Sequence, residues 1–124
     1  LRDQNGTTLT TVDVRIADTR QKRRVGLSQT ASLEPGDGML FVHENEEQHA
    51  YVMRNMSFPL DIVFVAANGT VTTIHHAETE PGKSGGQLSQ YRGFGTYILE
   101  VPRGYTNATG LDAGDTVEIP EAVD

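Results

Sequence analysis

The stretch Leu60-Asp-Ile-Val-Phe-Val-Ala-Ala-Asn-Gly-Thr-Val-Thr-Thr-Ile-His75 decides the fold. Residues 60–66 are apolar on both faces except for Asp61, which predicts a central strand of a sheet. Asn68-Gly69 is the strongest hairpin signal in the chain, because a type I′ turn needs positive φ at both central residues. Residues 71–75 supply the returning strand. The stretch therefore predicts a β-hairpin within an antiparallel sheet.

Further strands flank this hairpin on both sides. Residues 9–16 alternate between apolar and polar side chains, as a half-buried strand does. Short apolar runs predict four more strands, at 39–43, 50–54, 97–101 and 116–119. About seven short strands separated by turns favour a mainly β fold, namely a small antiparallel β sandwich or barrel of jelly-roll type.

One short helix is predicted in the N-terminal half of the chain. Asp18 followed three residues later by Gln21 has the pattern of a capping box. Residues 81–95 predict a glycine-rich loop that is long for a compact domain, and residues 104–114 are predicted to be irregular or briefly helical. No repeat or composition shift divides the chain, so residues 1–124 are predicted to form a single domain.

The chain is acidic and has no cysteine. It carries 17 Asp and Glu against 10 Lys and Arg, a net charge of −7. Nucleic-acid binding depends on neutralising phosphates, so this charge argues against a nucleic-acid partner. The lack of cysteine excludes disulfides, thiol nucleophiles and cysteine-ligated metals. No apolar run is long enough to span a bilayer, so no transmembrane segment is predicted.

Composition also bears on the environment of the protein. Only two of the ten basic residues are lysines. This fits a halophilic protein, whose hydrated carboxylates keep it soluble while salt screens their repulsion; an ordinary acidic protein is the alternative. Four of the five asparagines stand in N-x-[ST] sequons, and the sequence begins at Leu1. We therefore expect an extracellular or cell-surface domain whose signal or membrane anchor has been removed, with a cytoplasmic protein as the alternative.

Two carboxylates interrupt apolar strands, Asp61 within 60–66 and Glu100 within 97–101. A buried carboxylate needs a partner or shifts its pKa. These residues are either part of a polar pocket, with an acid/base pair as one form of it, or members of a structural ion pair. The arginines available for pairing are Arg24, Arg54 and Arg92.

No motif predicts a metal site or a cofactor. His75 and His76 are adjacent in a strand, so they point to opposite faces and cannot bind one metal. The acidic segment 43–49 is interpreted as a solvated loop rather than a cation site. Residues 77–84 fit a relaxed phosphate-binding loop, but no helical pattern follows them to present its N-terminus to a phosphate.

A set of motifs extends along most of the chain. They are Arg24-x-Gly26-Leu27, Gly38-Met-Leu-Phe41, Met53-x-Asn55-x-x-x-Pro59-Leu-Asp61-Ile-x-Phe64, Tyr97-x-Leu-Glu100-Val-Pro-x-Gly104 and Gly110-Leu-x-x-Gly-Asp115. In this order they resemble the family called domain of unknown function 192, over about residues 10–119. The resemblance implies a small, mainly β fold with a short helix near its start, often exported or membrane-anchored. It implies no established activity.

The resemblance also selects candidate site residues. Tyr51 stands where the family usually has tryptophan and keeps an aromatic ring with a polar tip. Glycines follow Pro81 where the family often has cysteine, so no thiol role is transferred. The predicted ligand-binding residues are Tyr51 and the polar positions that match the signature: Arg24, Asn55, Asp61 and Glu100.

Three functions follow from these observations. The favoured one is a small exported domain that binds a small molecule, with a saccharide as the named candidate, and that uses no cofactor. The second is a hydrolase with Asp61 and Glu100 as acid and base. The third is a structural or interaction module in which the same residues form a buried ion-pair network. The sequence favours binding over catalysis and defines neither the ligand nor the oligomeric state.

Overall fold

The computed structural model describes residues 1–4, 6–19, 26, 33–34, 36–53, 56, 58–83 and 85–119. Most of the elements within these residues are strands, which confirms the predicted mainly β class. The elements in chain order are β1 (Asp13–Ala17), β2 (Asp37–Tyr51), β3 (Leu60–Val65), β4 (Val71–Ala77), a 3-10 turn (Gly85–Gln87), β5 (Tyr91–Pro102) and α1 (Tyr105–Thr109).

The strands form one five-stranded sheet in the order β1-β2-β5-β3-β4. β1 runs parallel to β2, while the other neighbouring pairs are antiparallel. The sheet is therefore mixed rather than wholly antiparallel. Among the described strands it is not closed into a barrel, because β1 and β4 lie at its two edges, so neither the predicted barrel nor the predicted sandwich is confirmed.

The hairpin predicted from Asn68-Gly69 is confirmed, with its turn shifted by one residue. The Gly69 amide donates to the Ala66 carbonyl at 2.8 Å, which centres the turn on Ala67 and Asn68. Gly69 follows with a φ of 90°, a conformation that glycine adopts without steric cost. A register shift between Phe64 and Val65 accompanies this turn, so that β3 still meets β4 along its whole length.

The strand predicted at 39–43 and the start of the one predicted at 50–54 belong to a single strand, β2, which ends at Tyr51. Val52 and Met53 are not in a strand, and Arg54 lies outside the described residues. The two halves of β2 both pair with β5, and the register shifts between Val42 and Glu47, where β2 has the extra residues. The acidic segment between them was predicted as a loop because its residues are polar on both faces. Residues 43–46 have no register partner, but the pairing with β5 on both sides of them keeps them within one strand.

β5 begins at Tyr91, inside the predicted loop 81–95. Residues 91–95 pair with residues 47–51 of β2 to form a two-stranded arm, called here the ribbon. A Cβ at Gly93 would overlap the ring of Phe64, so this glycine lets the ribbon lie directly on the sheet. The glycines that suggested a loop therefore serve a close approach of two strands.

Strand alternation gives the sheet two buried faces. The Glu100 face carries Met39, Phe41, Ile62, Phe64, Ile98 and Glu100, and the ribbon covers part of it. The Asp61 face carries Leu40, Asp61, Val63, Val65, Leu99 and Val101. Leu1, Leu9, α1 and apolar residues within 111–119 pack against it.

Three further predictions concern the chain around the sheet. The helix predicted after Asp18 falls mainly on residues 20–25, outside the described residues. The briefly helical segment predicted within 104–114 is confirmed as α1. In place of a strand at 116–119, Thr116 forms isolated bridges with Arg2 and Thr70.

Candidate functional site

Asp61 is the most fully bonded buried charge among the described residues. Its side chain has no solvent exposure. Oδ2 accepts hydrogen bonds from the Gly104 amide (3.1 Å), the Thr106 amide (3.0 Å) and the Thr106 hydroxyl (2.7 Å). Oδ1 lies 2.6 Å from Nδ1 of His76. These four contacts repay the desolvation of the carboxylate and cap the start of α1 from a neighbouring strand.

His76 is the solvent-facing member of this pair. Its side chain is 50% exposed, whereas that of Asp61 is fully buried. A carboxylate on Nδ1 fixes the ring orientation and the tautomer, leaving Nε2 as the ring atom that can bind a ligand. No group of three or more potential metal ligands occurs among the described residues. The geometry thus presents an oriented imidazole with no metal-ligand cluster within the part of the chain that the structure describes.

Glu100 is buried in a different way. It is 5% exposed, and burial raises the pKa of its carboxyl to about 8. Its register partners are Met39 on β2 and Ile62 on β3, both apolar. No group among the described residues is hydrogen-bonded to it, in contrast to Asp61. At neutral pH Glu100 is therefore mainly a neutral carboxylic acid, which can both donate and accept a hydrogen bond.

Tyr51 lies on the same face as Glu100. Its ring packs edge-on against Phe41 and Phe64, with centroids 5.1 and 6.0 Å away. Its hydroxyl is hydrogen-bonded to Nε2 of His43 at 2.7 Å. Phe41 and Phe64, which Tyr51 contacts, lie side by side across the strands. Glu100 lies two residues further along β5 than their register partner Ile98, a separation of about 7 Å along the strands.

The aromatic contacts continue across this face. His43 stacks on His49 with centroids 3.8 Å apart, and His75 contacts both Phe64 and Tyr91. His75 also forms a hydrogen bond of 2.7 Å with the Arg92 carbonyl. These rings join the ribbon to the sheet and give the face several polar ring atoms.

The two predicted carboxylates are on opposite faces of the sheet. Asp61 pairs in register with Val101, whereas Glu100 pairs with Ile62. Adjacent positions on a strand alternate in direction, so the two side chains project away from each other. The predicted acid/base pair of Asp61 and Glu100 is therefore wrong, because both groups cannot act on one bond through the sheet.

The other predicted residues divide in the same way. The structure brings Tyr51 and Glu100 to one face and places Asp61 on the other. Arg24 and Asn55 lie outside the described residues, as does the proposed partner Arg54. Arg92 donates to Gln90 instead of a buried carboxylate.

The sequence motifs do not include His76, the partner of Asp61. A signal was present, because counting outward from Asn68-Gly69 pairs residue 61 with residue 76, the observed register. The role of Thr106 had no such signal, since α1 reaches Asp61 through a contact 45 residues away along the chain.

The fold is that of a small β domain built on one five-stranded sheet. The chain belongs to the family domain of unknown function 192, described as "Uncharacterized ACR", whose profile matches residues 1–119. This confirms the family that the sequence motifs indicated.

Two solved structures are similar to this chain. One is a proposed transcription regulator from Sinorhizobium meliloti, with 30% identity and a TM-score of 0.75 over 85% of this chain and 79% of that protein. The other is a protein of unknown function from Novosphingobium aromaticivorans, with 28% identity and a TM-score of 0.75 over 86% and 74%. A comparison with curated proteins finds no match.

Proposed function

We propose that this protein is a ligand-binding domain whose site lies on the Glu100 face and whose ligand is a small neutral molecule rich in hydroxyl groups, such as a saccharide. The observation that carries the proposal is Glu100, a buried carboxyl group with no hydrogen-bonding partner among the described residues. No side-chain oxygen of the described residues is both fully enclosed and unpaired, so a ligand that reaches the carboxyl group of Glu100 from the surface can supply hydrogen bonds that no described residue makes.

The chemistry of this face suits a saccharide. A neutral carboxylic acid can donate to one hydroxyl and accept from its neighbour. Tyr51 adds an apolar ring whose hydroxyl is already held by His43, so the ring position is fixed before binding. Aromatic rings beside fixed polar groups are the usual composition of small-molecule sites.

The two alternative functions receive less support. A hydrolase that uses Asp61 and Glu100 together is excluded by their opposite faces. The interaction module required a buried ion-pair network among the predicted residues. Among the described ion pairs, only that of Asp61 with His76 reaches a fully buried carboxylate. Asp61 is therefore assigned to holding β3, β4 and α1 together rather than to the ligand.

We do not extend the description of the Sinorhizobium protein as a transcription regulator to DNA binding by this chain. The net charge of −7 opposes contact with phosphates.

Among the described residues no helix is long and apolar enough to cross a bilayer.

Export remains part of the proposal. Of the four sequon asparagines, Asn68 and Asn107 are exposed, one in the β3–β4 turn and one on α1; Asn5 and Asn55 lie outside the described residues. Exposure is what a glycosyl acceptor requires. Mass spectrometry of protein from its native cells should find glycan on Asn68 or Asn107, and unmodified peptides at both would remove this support.

The binding proposal is tested with two substitutions at one position. Glu100→Gln keeps a donor and an acceptor but cannot ionise, and Glu100→Leu keeps the size but has no polar atom. A panel of neutral mono- and disaccharides is titrated calorimetrically against each folded protein. We expect Glu100→Leu to weaken binding at least about tenfold and Glu100→Gln by about threefold or less.

The pH dependence supplies an internal control. Ionisation of Glu100 removes its donor, so the affinity of the unmodified protein should fall as the pH rises past about 8, while that of Glu100→Gln should not. Glu118→Gln, an exposed change near the other face, should have no effect. Wild-type affinity in Glu100→Leu, or no saturable binding of any saccharide, would contradict the proposal.

A further inference from the structure

A cavity lies on the Asp61 face, on the side of the sheet away from Glu100. Its volume is about 540 Å³. Leu40 and Leu99 are register partners on β2 and β5 and form its floor, each 2% exposed. Val14 of β1 and Val117 near the C-terminal end line its sides. This volume falls within the range of small-molecule sites, about 300–1,000 Å³.

The N-terminal residues that cover this cavity, Arg2 among them, are held in place by hydrogen bonds. Arg2 bridges to Thr8 within a short hairpin. The Arg2 amide donates to the Thr116 carbonyl at 2.7 Å, and the Thr116 amide donates back at 2.8 Å. The Thr10 hydroxyl is 3.0 Å from the hydroxyl of Tyr105 on α1. Because these hydrogen bonds fix the covering residues at several points, the shape of the cavity is defined before a ligand binds.

The charged groups of the cavity already have partners, and its other polar atoms are uncharged. The amino group of Leu1, which lines the cavity, donates to the Thr10 carbonyl at 3.0 Å. Arg2 and Glu118 form an ion pair of 2.8 Å at the rim, with side chains 44% and 67% exposed. Thr8 and Thr11 line the same rim, are exposed, and offer hydroxyl groups that can donate or accept. A charged head group would have to displace one partner of the ion pair, and an anion would also meet the net charge of −7.

We infer that this cavity binds an amphiphile made of an alkyl chain and an uncharged hydroxyl or ester head group. The chain lies over Leu40 and Leu99, and the head group is hydrogen-bonded to the threonines of the rim. Burying apolar surface drives the binding, at roughly 0.8 kcal/mol for each methylene removed from water. This site is independent of the proposed saccharide site, since the sheet separates the two.

The probes are decanol, decanoate and decyltrimethylammonium, which share one chain length and differ in head-group charge. Each is titrated into the isotopically labelled protein below its aggregation concentration and followed by amide chemical shifts. We expect decanol to bind saturably and more tightly than either ion. The shifts should concentrate in β1, the 1–12 segment and residues 117–119.

Two matched substitutions test the location. Val14→Phe fills the cavity and should weaken decanol binding about tenfold or more. Ile74→Phe makes the same kind of change at a half-buried position on the same face but outside the cavity, and should leave affinity within about twofold. If Val14→Phe does not fold, the exposed pair Thr11→Trp at the rim and Thr7→Trp beside it gives the same comparison.

Three outcomes would overturn the inference: no saturable binding of decanol, unchanged binding by the folded cavity variant, or tighter binding of decanoate than of decanol. Glu100→Leu separates this result from the proposed function, because it should abolish saccharide binding and leave decanol binding intact.

Discussion

Burial of Glu100 makes the stability of the fold depend on pH. In the unfolded chain a glutamate ionises near its ordinary pKa of 4.5, whereas in the folded protein burial raises the pKa to about 8. Between these values the unfolded chain releases a proton that the folded protein keeps. The contribution of Glu100 to the free energy of unfolding is therefore fully present at acid pH. It is lost as the pH rises through that interval, by up to about 1.4 kcal/mol per pH unit.

Glu100→Gln tests this sign directly. The variant cannot ionise at this position. The free energy of unfolding of the variant minus that of the unmodified protein should therefore increase as the pH rises from about 5 to about 8. Urea unfolding at both pH values gives the difference. Glu118→Gln, which is exposed, is the control and should follow the unmodified protein. Parallel curves for Glu100→Gln and the unmodified protein would show that Glu100 is not held neutral.

Asp61 should matter to stability more than any exposed acid. Asn at this position has one acceptor oxygen, so its NH₂ group would face either Nδ1 of His76 or the donors of α1. We expect Asp61→Asn to lower the free energy of unfolding by about 3 kcal/mol, since it leaves buried donors unpaired. His76→Ala should cost less, about 1 kcal/mol, because its side chain is half exposed.

Chemical denaturation measures both effects, with Asp13→Asn on an exposed part of β1 as the control. A loss below about 0.5 kcal/mol for Asp61→Asn, the size of an ordinary surface change, would contradict the assigned role. Saccharide binding by the folded Asp61→Asn protein should be unchanged, because Asp61 does not lie on the Glu100 face.

At the residue scale, the sequence identifies two of the three acids that are buried among the described residues, but it does not identify what they contact. Asp61 and Glu100 are predicted from the same signal, an acid within an apolar strand. Their environments differ because Asp61 meets the amides of a helix distant in sequence, whereas Glu100 meets Met39 and Ile62. Such contacts depend on strand order, which no local pattern encodes.

At the scale of elements, local signals predict the β3–β4 hairpin and fail for β2 and β5. The hairpin depends on a turn and two adjacent strands, all close in sequence. β2 pairs instead with β5, about 50 residues later along the chain, and this pairing carries the strand through polar residues. Gly93 and Gly95 are typical of a loop, yet they are required where the ribbon crosses Phe64 and Val65.

Gly93→Ala should therefore loosen the ribbon. The new Cβ would overlap the Phe64 ring, and relieving the overlap should cost about 1–3 kcal/mol. Hydrogen exchange should speed up in residues 47–51 and 91–95 more than in β3. Gly86→Ala is the matched control, because its Cβ would have open space. Equal stability of the two variants would show that the ribbon does not depend on this contact.

At the scale of the whole molecule, the arrangement of the sheet explains why two separate sites are possible. Both faces are apolar and covered, one by the ribbon and the other by Leu1, Leu9, α1 and apolar residues within 111–119. A single sheet covered on both sides keeps its faces chemically independent. Composition predicts neither the sheet order nor this independence, but it does predict how the surface responds to salt.

The surface charge predicts that salt stabilises the fold. The chain carries a net charge of −7, and repulsion among exposed acids opposes the compact state. Raising the ionic strength from about 0.1 M to about 1 M shortens the screening length from about 10 Å to about 3 Å, which removes most of this repulsion. The free energy of unfolding should therefore rise with potassium chloride. A neutral osmolyte at equal osmolality controls for exclusion effects and should stabilise less. Stability that is independent of salt, or that follows the osmolyte, would identify an ordinary acidic protein rather than a salt-adapted one.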